Sequence, residues 1–458
     1  MESPPDALRT FRRSFYECFH RRKDALFELT DAILSADGTT PSPAHLSLEA
    51  SHRRGWGSLY AALDRGRIDY EVQRKLLARH PLAGAVVGEH SVYAVDVSVW
   101  DRCDAECSPE RGYYYHPSRH SAGQPIVAGW AYQFVAQLNF VRESWTAPMD
   151  VQRLRPGQDA NVLATEQVRS FLRRSLPSRR RDVAPLFVFD AGYDPVKVQQ
   201  GLEESPCQIL IRLRAGRRFY GDPSLCDPPE HVGRPRRHGP KMKCNDSSTW
   251  PEQPSAEHHC EDAGYGSVRV RAWAELHPKV CNHERKGTRG PLPIVVGTLI
   301  LVEVERLPRG ERRREPRVLW LWWHGPEGTA PDLDLIWRAY VRRFDLEHTF
   351  RFLKQSMGWT TPRVRHPEQA DRWTWLVLAA YTQLRLARTH VADQRLPWER
   401  RYGAGRLTPV RVHRAVSSLL VELGTPAKPP KPCGRSPGRP KGRLSGRAER
   451  YPALKKSA

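Results

Sequence analysis

Near the amino terminus, apolar residues return every three or four positions: Leu8, Phe11, Phe15, Cys18 and Phe19, then Leu26, Leu29, Ile33 and Leu34. That period predicts helices. Leu59, Leu63, Ile68, Val72, Leu76 and Leu77 continue it, so residues 1–85 read as a helical domain. From about residue 90 the period shortens to two. Residues 91–100 are rich in β-branched and aromatic side chains and predict a strand, and residues 127–141 and 145–154 predict two more. A helix follows over 160–175, then the run Leu186-Phe-Val-Phe189, wholly apolar as in strands covered on both faces. Residues 207–212 form a last strand. Strands followed by alternating helix and strand describe a mixed α/β sheet with helices on both faces, its first part spanning 86–213.

The rhythm breaks over 214–325, where Pro, Gly, His, Arg and Cys dominate. Only 267–276, 293–304 and 318–323 keep strand character, which reads as a loop-rich β insertion. Residues 326–392 resume the interrupted domain with one helix over 331–357 and another over 376–386. A helical region covers 393–424. Beyond it Pro, Gly, Lys and Arg leave almost nothing to build a core, so 425–458 is expected to be disordered.

Charge narrows the partners. The 458 residues hold 73 Lys plus Arg against 51 Asp plus Glu, a formal net charge of +22. Such an excess concentrates polyanions and suits nucleic acid. No apolar run approaches the roughly 18 residues of a membrane span, and Met1-Glu-Ser-Pro-Pro5 lacks the layout of a signal peptide. A cytoplasmic, nucleoid-associated protein is expected, with no membrane partner. Nine cysteines, never in a CxxC pair, argue against a disulfide framework. Basic residues among the first helices (Arg12, Arg13, Arg21, Arg22, Lys23, Arg53, Arg54) leave two readings open: a DNA-touching module, or a packing module with a solvated basic face.

Chemistry enters with the helix around residue 347. At about 100° per residue, Tyr340, Arg343, Glu347 and Lys354 share one edge, beside an apolar stripe of Leu335, Ala339, Leu346, Phe350, Leu353 and Met357. This edge is either functional or a solvated face with an Arg343–Glu347 pair. Two further carboxylates stand at telling places. Asp96 interrupts a strand where an apolar residue is expected, and Asp190 ends the apolar strand. Asp194 is better explained as a helix cap ahead of Pro195. A desolvated carboxylate needs a cation. If Asp96, Asp190 and Glu347 converge, their oxygens suit two magnesium or manganese ions.

These three acids, with the spacing Tyr340-x2-Arg343-x3-Glu347-x6-Lys354, resemble the DDE transposases of bacterial insertion sequences, in the group marked by a Y-R-E-K signature. Asp190-Ala-Gly192-Tyr193 resembles that group's motif at the second acid. Leu346 departs from the Ile often found before the Glu, and the N-terminal region carries no family pattern. The resemblance spans roughly 90–390. It implies a ribonuclease-H-like catalytic domain with a β-rich insertion between the second Asp and the Glu. It also implies that Asp96, Asp190 and Glu347 are catalytic and hold two Mg2+ or Mn2+ ions. Tyr340, Arg343 and Lys354 would grip phosphates of the transposon end, a role that suits their donors. The implied reaction is cut-and-paste transposition: cleavage at the ends of the element, then strand transfer of the 3′-hydroxyl into target DNA, with a homodimer in the synaptic complex. The alternatives are a ribonuclease-H-like nuclease or resolvase without strand transfer, and an inactive DNA-binding protein of the same fold.

Members that form hairpins flip a base onto an aromatic ring. Trp250, Trp273, Trp320, Trp322 and Trp323 are candidates, with sheet packing as the competing role. Cys226, His231, His238, Cys244, His258, His259, Cys260, His277, Cys281 and His283 crowd the insertion, but their spacings match no established zinc pattern. They read as free thiols and solvated histidines. In the tail, Pro437-Gly-Arg439-Pro-Lys441-Gly-Arg443 resembles an AT-hook without the Arg that should precede Gly438. Arg439 and Lys441 are its candidate DNA contacts, the alternative being a solubilising basic tail.

Overall fold

The structure, a computed structural model, describes residues 4–36, 42–82, 86–87, 90–116, 124–141, 143–175, 183–226, 235–280, 292–308, 318–403, 405–432, 441–442 and 446–455. The chain opens with α1 (Pro4–Glu17), β1 (Phe19–Arg21), α2 (Lys23–Ser35), α3 (Pro43–Leu46), α4 (Gly57–Arg65), β2 (Arg67–Ile68) and α5 (Tyr70–Ala78). Next come β3 (Val86–Val87), β4 (His90–Asp101), β5 (Gly112–Tyr115), β6 (Ile126–Gln137), β7 (Ala147–Leu154) and α6 (Ala160–Ser175). Then follow β8 (Leu186–Phe189), α7 (Pro195–Leu202), β9 (Gln208–Leu213), β10 (Arg218–Tyr220) and β11 (Lys241–Lys243). β12 (Ala256–Asp262), β13 (Gly266–Pro278), β14 (Gly297–Val304) and β15 (Val318–His324) complete the strands. The last helices are α8 (Leu333–Arg342), α9 (Phe344–Gln355), α10 (Pro367–Ala387) and α11 (Pro409–Leu423). The mixed α/β class expected from the alternation of strands and helices is present.

The chain divides into two compact units. One comprises Gly84–Asp96 and Asp159–Phe344. In it the first half of β4 runs parallel to β8, pairing Val92 with Leu186 and Val95 with Phe189, and β8 runs parallel to β9. The parallel run Leu186–Phe189 is buried on both faces, as its lack of alternation requires. The insertion does not stand apart from this sheet. β15 pairs antiparallel with β9, matching Trp322 to Ile211, and β14 and β13 continue outward from it. β13 also pairs with β12 and β10. β13 carries a bulge between Trp273 and Leu276, where Glu275 takes a φ of 56°.

The other unit comprises Met1–Ala83, Val97–Gln158 and Asp345–Ala458. Its β6 pairs antiparallel with β5 and β7. At its centre, α10 is apolar nearly all round, with Trp373, Leu376, Val377, Leu378, Tyr381 and Leu384 fully buried. The single helix expected through 59–77 is two. Gly66 ends α4 in an extended conformation (φ −66°, ψ 155°), and only glycine fits there, because a Cβ would lie 2.3 Å from the Ala62 carbonyl oxygen and 2.9 Å from Leu26 Cδ1. The chain then pairs briefly as β2 with β1 and re-enters a helix capped by Asp69, whose side chain accepts from the Val72 N–H.

Several basic residues of the first helices turn inward in this unit. Arg12 is 3% exposed and donates to Asp31 (2.7 and 3.0 Å), to Gln383 Oε1 (2.7 Å) and to the Gly424 carbonyl (3.0 Å). Arg53 and Arg54 both pair with the buried carboxylate of Glu28. These three arginines are therefore engaged within the unit and do not form a solvated basic face. The basic tail, expected to be without structure, makes contacts of its own. The Tyr451 and Leu454 N–H groups donate to the Glu106 and Arg111 carbonyls, and Lys428 N–H donates to Asp24.

Candidate active site

Asp96 and Asp190 leave neighbouring parallel strands in the same direction. Asp96 is the residue after Val95 in β4, which pairs with Phe189 in β8, and Asp190 follows Phe189 directly. Register alone therefore puts the two carboxylates side by side at the carboxyl ends of the paired segment. That end of a parallel sheet is where open α/β folds gather their ligand groups. The apolar residues before each Asp are fully buried, so the strand ends are rigidly placed.

Between the two acids lies Arg343. Its Nη1 donates to Asp96 Oδ2 at 2.6 Å, and its Nη2 stands 3.7 Å from Asp190 Oδ1. The Arg343 side chain is 3% exposed, that of Asp96 16% and that of Asp190 39%. Arg343 thus occupies a buried position against the carboxylates, where an exposed edge was expected. The expected continuous helix over 331–357 is interrupted at this residue: α8 ends at Arg342 and α9 begins at Phe344. The Arg343 N–H still bonds back to the Ala339 and Tyr340 carbonyls, so the break falls after it. Tyr340 is also buried, at 4% exposure. Burial raises its phenol pKa, and the charges of Arg343 and Arg212 oppose that rise.

The floor of the pair is Tyr193, a residue noted only as part of a motif. It is 6% exposed and its ring meets Phe189 edge-on at 5.2 Å. Burial, then the charges of Asp96 and Asp190, push its phenol far above the usual range, so it stays neutral. The Tyr193 N–H closes the turn onto the Asp190 carbonyl. Asp194 caps α7 as anticipated, accepting from the Val196 and Lys197 N–H groups.

Glu347 lies in the first turn of α9 and is exposed. Lys354, at the other end of that helix, places its Nζ 5.7 Å from the Trp359 ring centre. The whole stripe from Leu335 to Met357 is buried as the helical period requires, with exposures of 8% or less. Arg439 lies outside the described residues, as do His231, Cys281 and His283, while Lys441 sits in an exposed turn. Among the tryptophans, Trp320, Trp322 and Trp323 are buried in β15. Trp250 and Trp273 line a cavity of about 480 Å³ together with Lys241, Leu225 and Leu276.

The donor set fits a hard divalent ion. Two carboxylates from adjacent strands converge on one cationic group, here a guanidinium, and one of them keeps a solvent-facing side. Comparison with known proteins agrees with that chemistry. The DDE superfamily endonuclease family matches residues 14–277, a stretch that includes both Asp96 and Asp190. No curated protein matches the chain. Among solved structures, the piggyBac transposase synaptic complex with hairpin DNA is similar at 10% identity, with a TM-score of 0.41, covering 88% of this chain and 71% of that one. No helix among the described residues is long and apolar enough to cross a membrane. The chain belongs to the DDE superfamily endonucleases.

Proposed function

We propose that this protein is a DNA transposase that cuts at the ends of a mobile element and transfers the freed 3′-hydroxyl to target DNA. The observation that carries the reading is the pairing of Asp96 and Asp190 at adjacent strand ends with Arg343 between them. Asp96 and Asp190 hold divalent ions, magnesium or manganese, and Glu347 supplies the third carboxylate. Such ions furnish a deprotonated nucleophile and charge at the leaving oxygen of a phosphodiester. The protein's part is to fix the carboxylates, which the buried strands do, and to keep Tyr193 neutral beneath them.

Arg343 has two tasks in this account. Without DNA it neutralises Asp96, which would otherwise be a half-buried carboxylate facing a second one. With DNA its guanidinium forks onto a phosphate beside the cut bond, assisted by Tyr340 and Lys354. The net charge of +22 draws the duplex in, with an affinity that falls steeply with salt. Lys441 and Arg439 add to that attraction from the tail.

The test uses the full-length protein with Mg2+ or Mn2+ and labelled duplexes covering the DNA on both sides of its gene. Nicks exposing a 3′-hydroxyl at an inverted repeat, followed by joined product, are expected. Nicks without joining would favour a nuclease or resolvase that lacks strand transfer. Binding without cutting would favour an inactive DNA-binding protein. Glu347→Gln is expected to abolish cutting and keep binding, and retained cutting would remove Glu347 from the site.

A further inference from the structure

The insertion contains a second convergence of ligand groups, made by a strand and a helix that are distant in sequence. His258 and Cys260 sit two apart on β12 and so share one face of that strand. Asp334 lies in the first turn of α8, which packs on β12 and β13. One nitrogen, one sulfur and one oxygen from these three residues all lie within 4.8 Å of one another. His258 Nε2 faces Asp334 Oδ1 at 3.4 Å, is shielded from solvent, and makes no hydrogen bond.

We propose that His258, Cys260 and Asp334 bind one divalent transition ion of the zinc class, which pins the strand β12 to α8. The donor types decide the ion. Imidazole with a thiolate suits zinc and excludes the magnesium or manganese expected at Asp96 and Asp190. Zinc ligands at about 2.0–2.3 Å in a tetrahedron stand roughly 3.3–3.8 Å apart. His258 Nε2 and Asp334 Oδ1 are already at 3.4 Å, and the three groups lie within 4.8 Å, so small side-chain rotations complete the site. Three protein ligands leave the fourth position for water. The Asp334 carboxylate is already aimed. Arg338 Nε donates to its Oδ1 at 2.8 Å and Trp337 Nε1 at 3.1 Å, the supporting contacts that commonly orient a ligating carboxylate.

The site was hard to see in the sequence because His-x-Cys on a strand followed by an Asp more than seventy residues later is no recurring spacing. Its consequence lies along α8. Asp334 starts that helix and Arg343 follows its end, about 13 Å further along a helix rising 1.5 Å per residue. An ion that holds the start of α8 against β12 also fixes where Arg343 meets Asp96.

The experiment is to strip the full-length protein of metal and titrate it with Co2+, then with Zn2+. One equivalent of Co2+ should give visible bands of a four-coordinate ion with a sulfur-to-cobalt charge-transfer band, and Zn2+ should displace it. Cys260→Ser should lose the charge-transfer band, and His258→Gln should bind at least tenfold more weakly. In the wild type, Zn2+ should raise the thermal midpoint, and in Cys260→Ser it should not. Asp334→Asn keeps an oxygen for Arg338 and Trp337, so it tests the ligand set if the other variants fold poorly, and it too should lose at least tenfold. Absence of the charge-transfer band in the wild type, or its persistence in Cys260→Ser, would overturn the proposal. So would wild-type affinity in Asp334→Asn.

Discussion

Arg153 and Arg343 each stand between acids, and they behave as opposites. In one unit, Arg153 is wholly engaged. Its Nε reaches both oxygens of Asp371 at 3.0 and 3.3 Å, and its Nη1 donates to Glu110. The Tyr132 hydroxyl adds a bond of 2.8 Å to the same carboxylate. In the other unit, Arg343 bonds closely to Asp96 and stands 3.7 Å from Asp190, whose side chain is 39% exposed. In the first arrangement the central carboxylate, Asp371, is held by both Arg153 and Tyr132. The second is open, with a carboxylate still facing solvent and a guanidinium able to change partners. Arginine–carboxylate contacts are therefore poor guides to function by themselves, and the informative quantity is what remains unsatisfied.

Substitutions that break this contrast should separate activity from stability. The largest effect is expected at the open pair. Asp190→Asn should lower cleavage of end DNA by at least about a thousandfold, since under the proposed reaction it removes one of the oxygens that hold the metal ions. Its urea midpoint should stay near that of the wild type. A parallel loss of folding would place Asp190 with Asp371 as a structural group.

At the Arg153–Asp371 pair the expectation reverses. Arg153→Met leaves Asp371 buried without its cation and should cost about 3–5 kcal/mol of stability in urea unfolding. The remaining folded protein should cleave normally. Burial already pushes the Asp371 carboxyl above the usual range, and Arg153 opposes that rise.

Arg343→Ala is intermediate. It should weaken end binding and strand transfer together by roughly ten- to a hundredfold, in proportion to a lost charge-assisted phosphate contact worth about 1.5–3 kcal/mol. Its thermal midpoint should also respond to Mg2+ more than that of the wild type, because the guanidinium beside Asp96 and Asp190 is then gone. Identical Mg2+ responses would show that Arg343 does not screen the acids.

The smallest effect concerns acid. Burial, helped by the charges of Arg385 and Arg79, pushes the His80 imidazole down to about 4. That value lies below the ordinary 6.5, so between the two the unfolded chain binds the extra proton. Stability of that unit should fall as pH drops through this window, by at most about 1.4 kcal/mol per pH unit. His80→Gln should flatten the slope.

How much of this was legible beforehand differs by element. The strand before Asp190 was readable because an unbroken apolar run ends in an acid, a pattern that burial on both faces imposes, and Asp96 because it interrupts a β-branched, aromatic strand. The buried stripe from Leu335 to Met357 was readable from its helical period. The orientation of Arg343 was not. A helical wheel grouped it with Glu347, but an interruption after one residue and a carboxylate 247 positions away drew it inward. The break at Gly66 is likewise not legible, since the periodicity runs through it and only the packing of Leu26 and Ala62 around it shows why a glycine is needed. β12 escaped notice because its residues, Ala256-Glu-His-His-Cys-Glu-Asp262, carry almost no apolar alternation. It is held by pairing with β13 and not by a hydrophobic face.

The bond between β15 and β9 has a consequence for anyone trimming this protein. Because β15 pairs along β9, matching Trp320 to Leu213 and Trp322 to Ile211, excising residues 214–325 would strip a strand from the sheet and leave unpaired amides on its flank. Such a shortened chain should polymerise edge to edge, because β15 covers that edge in the intact chain.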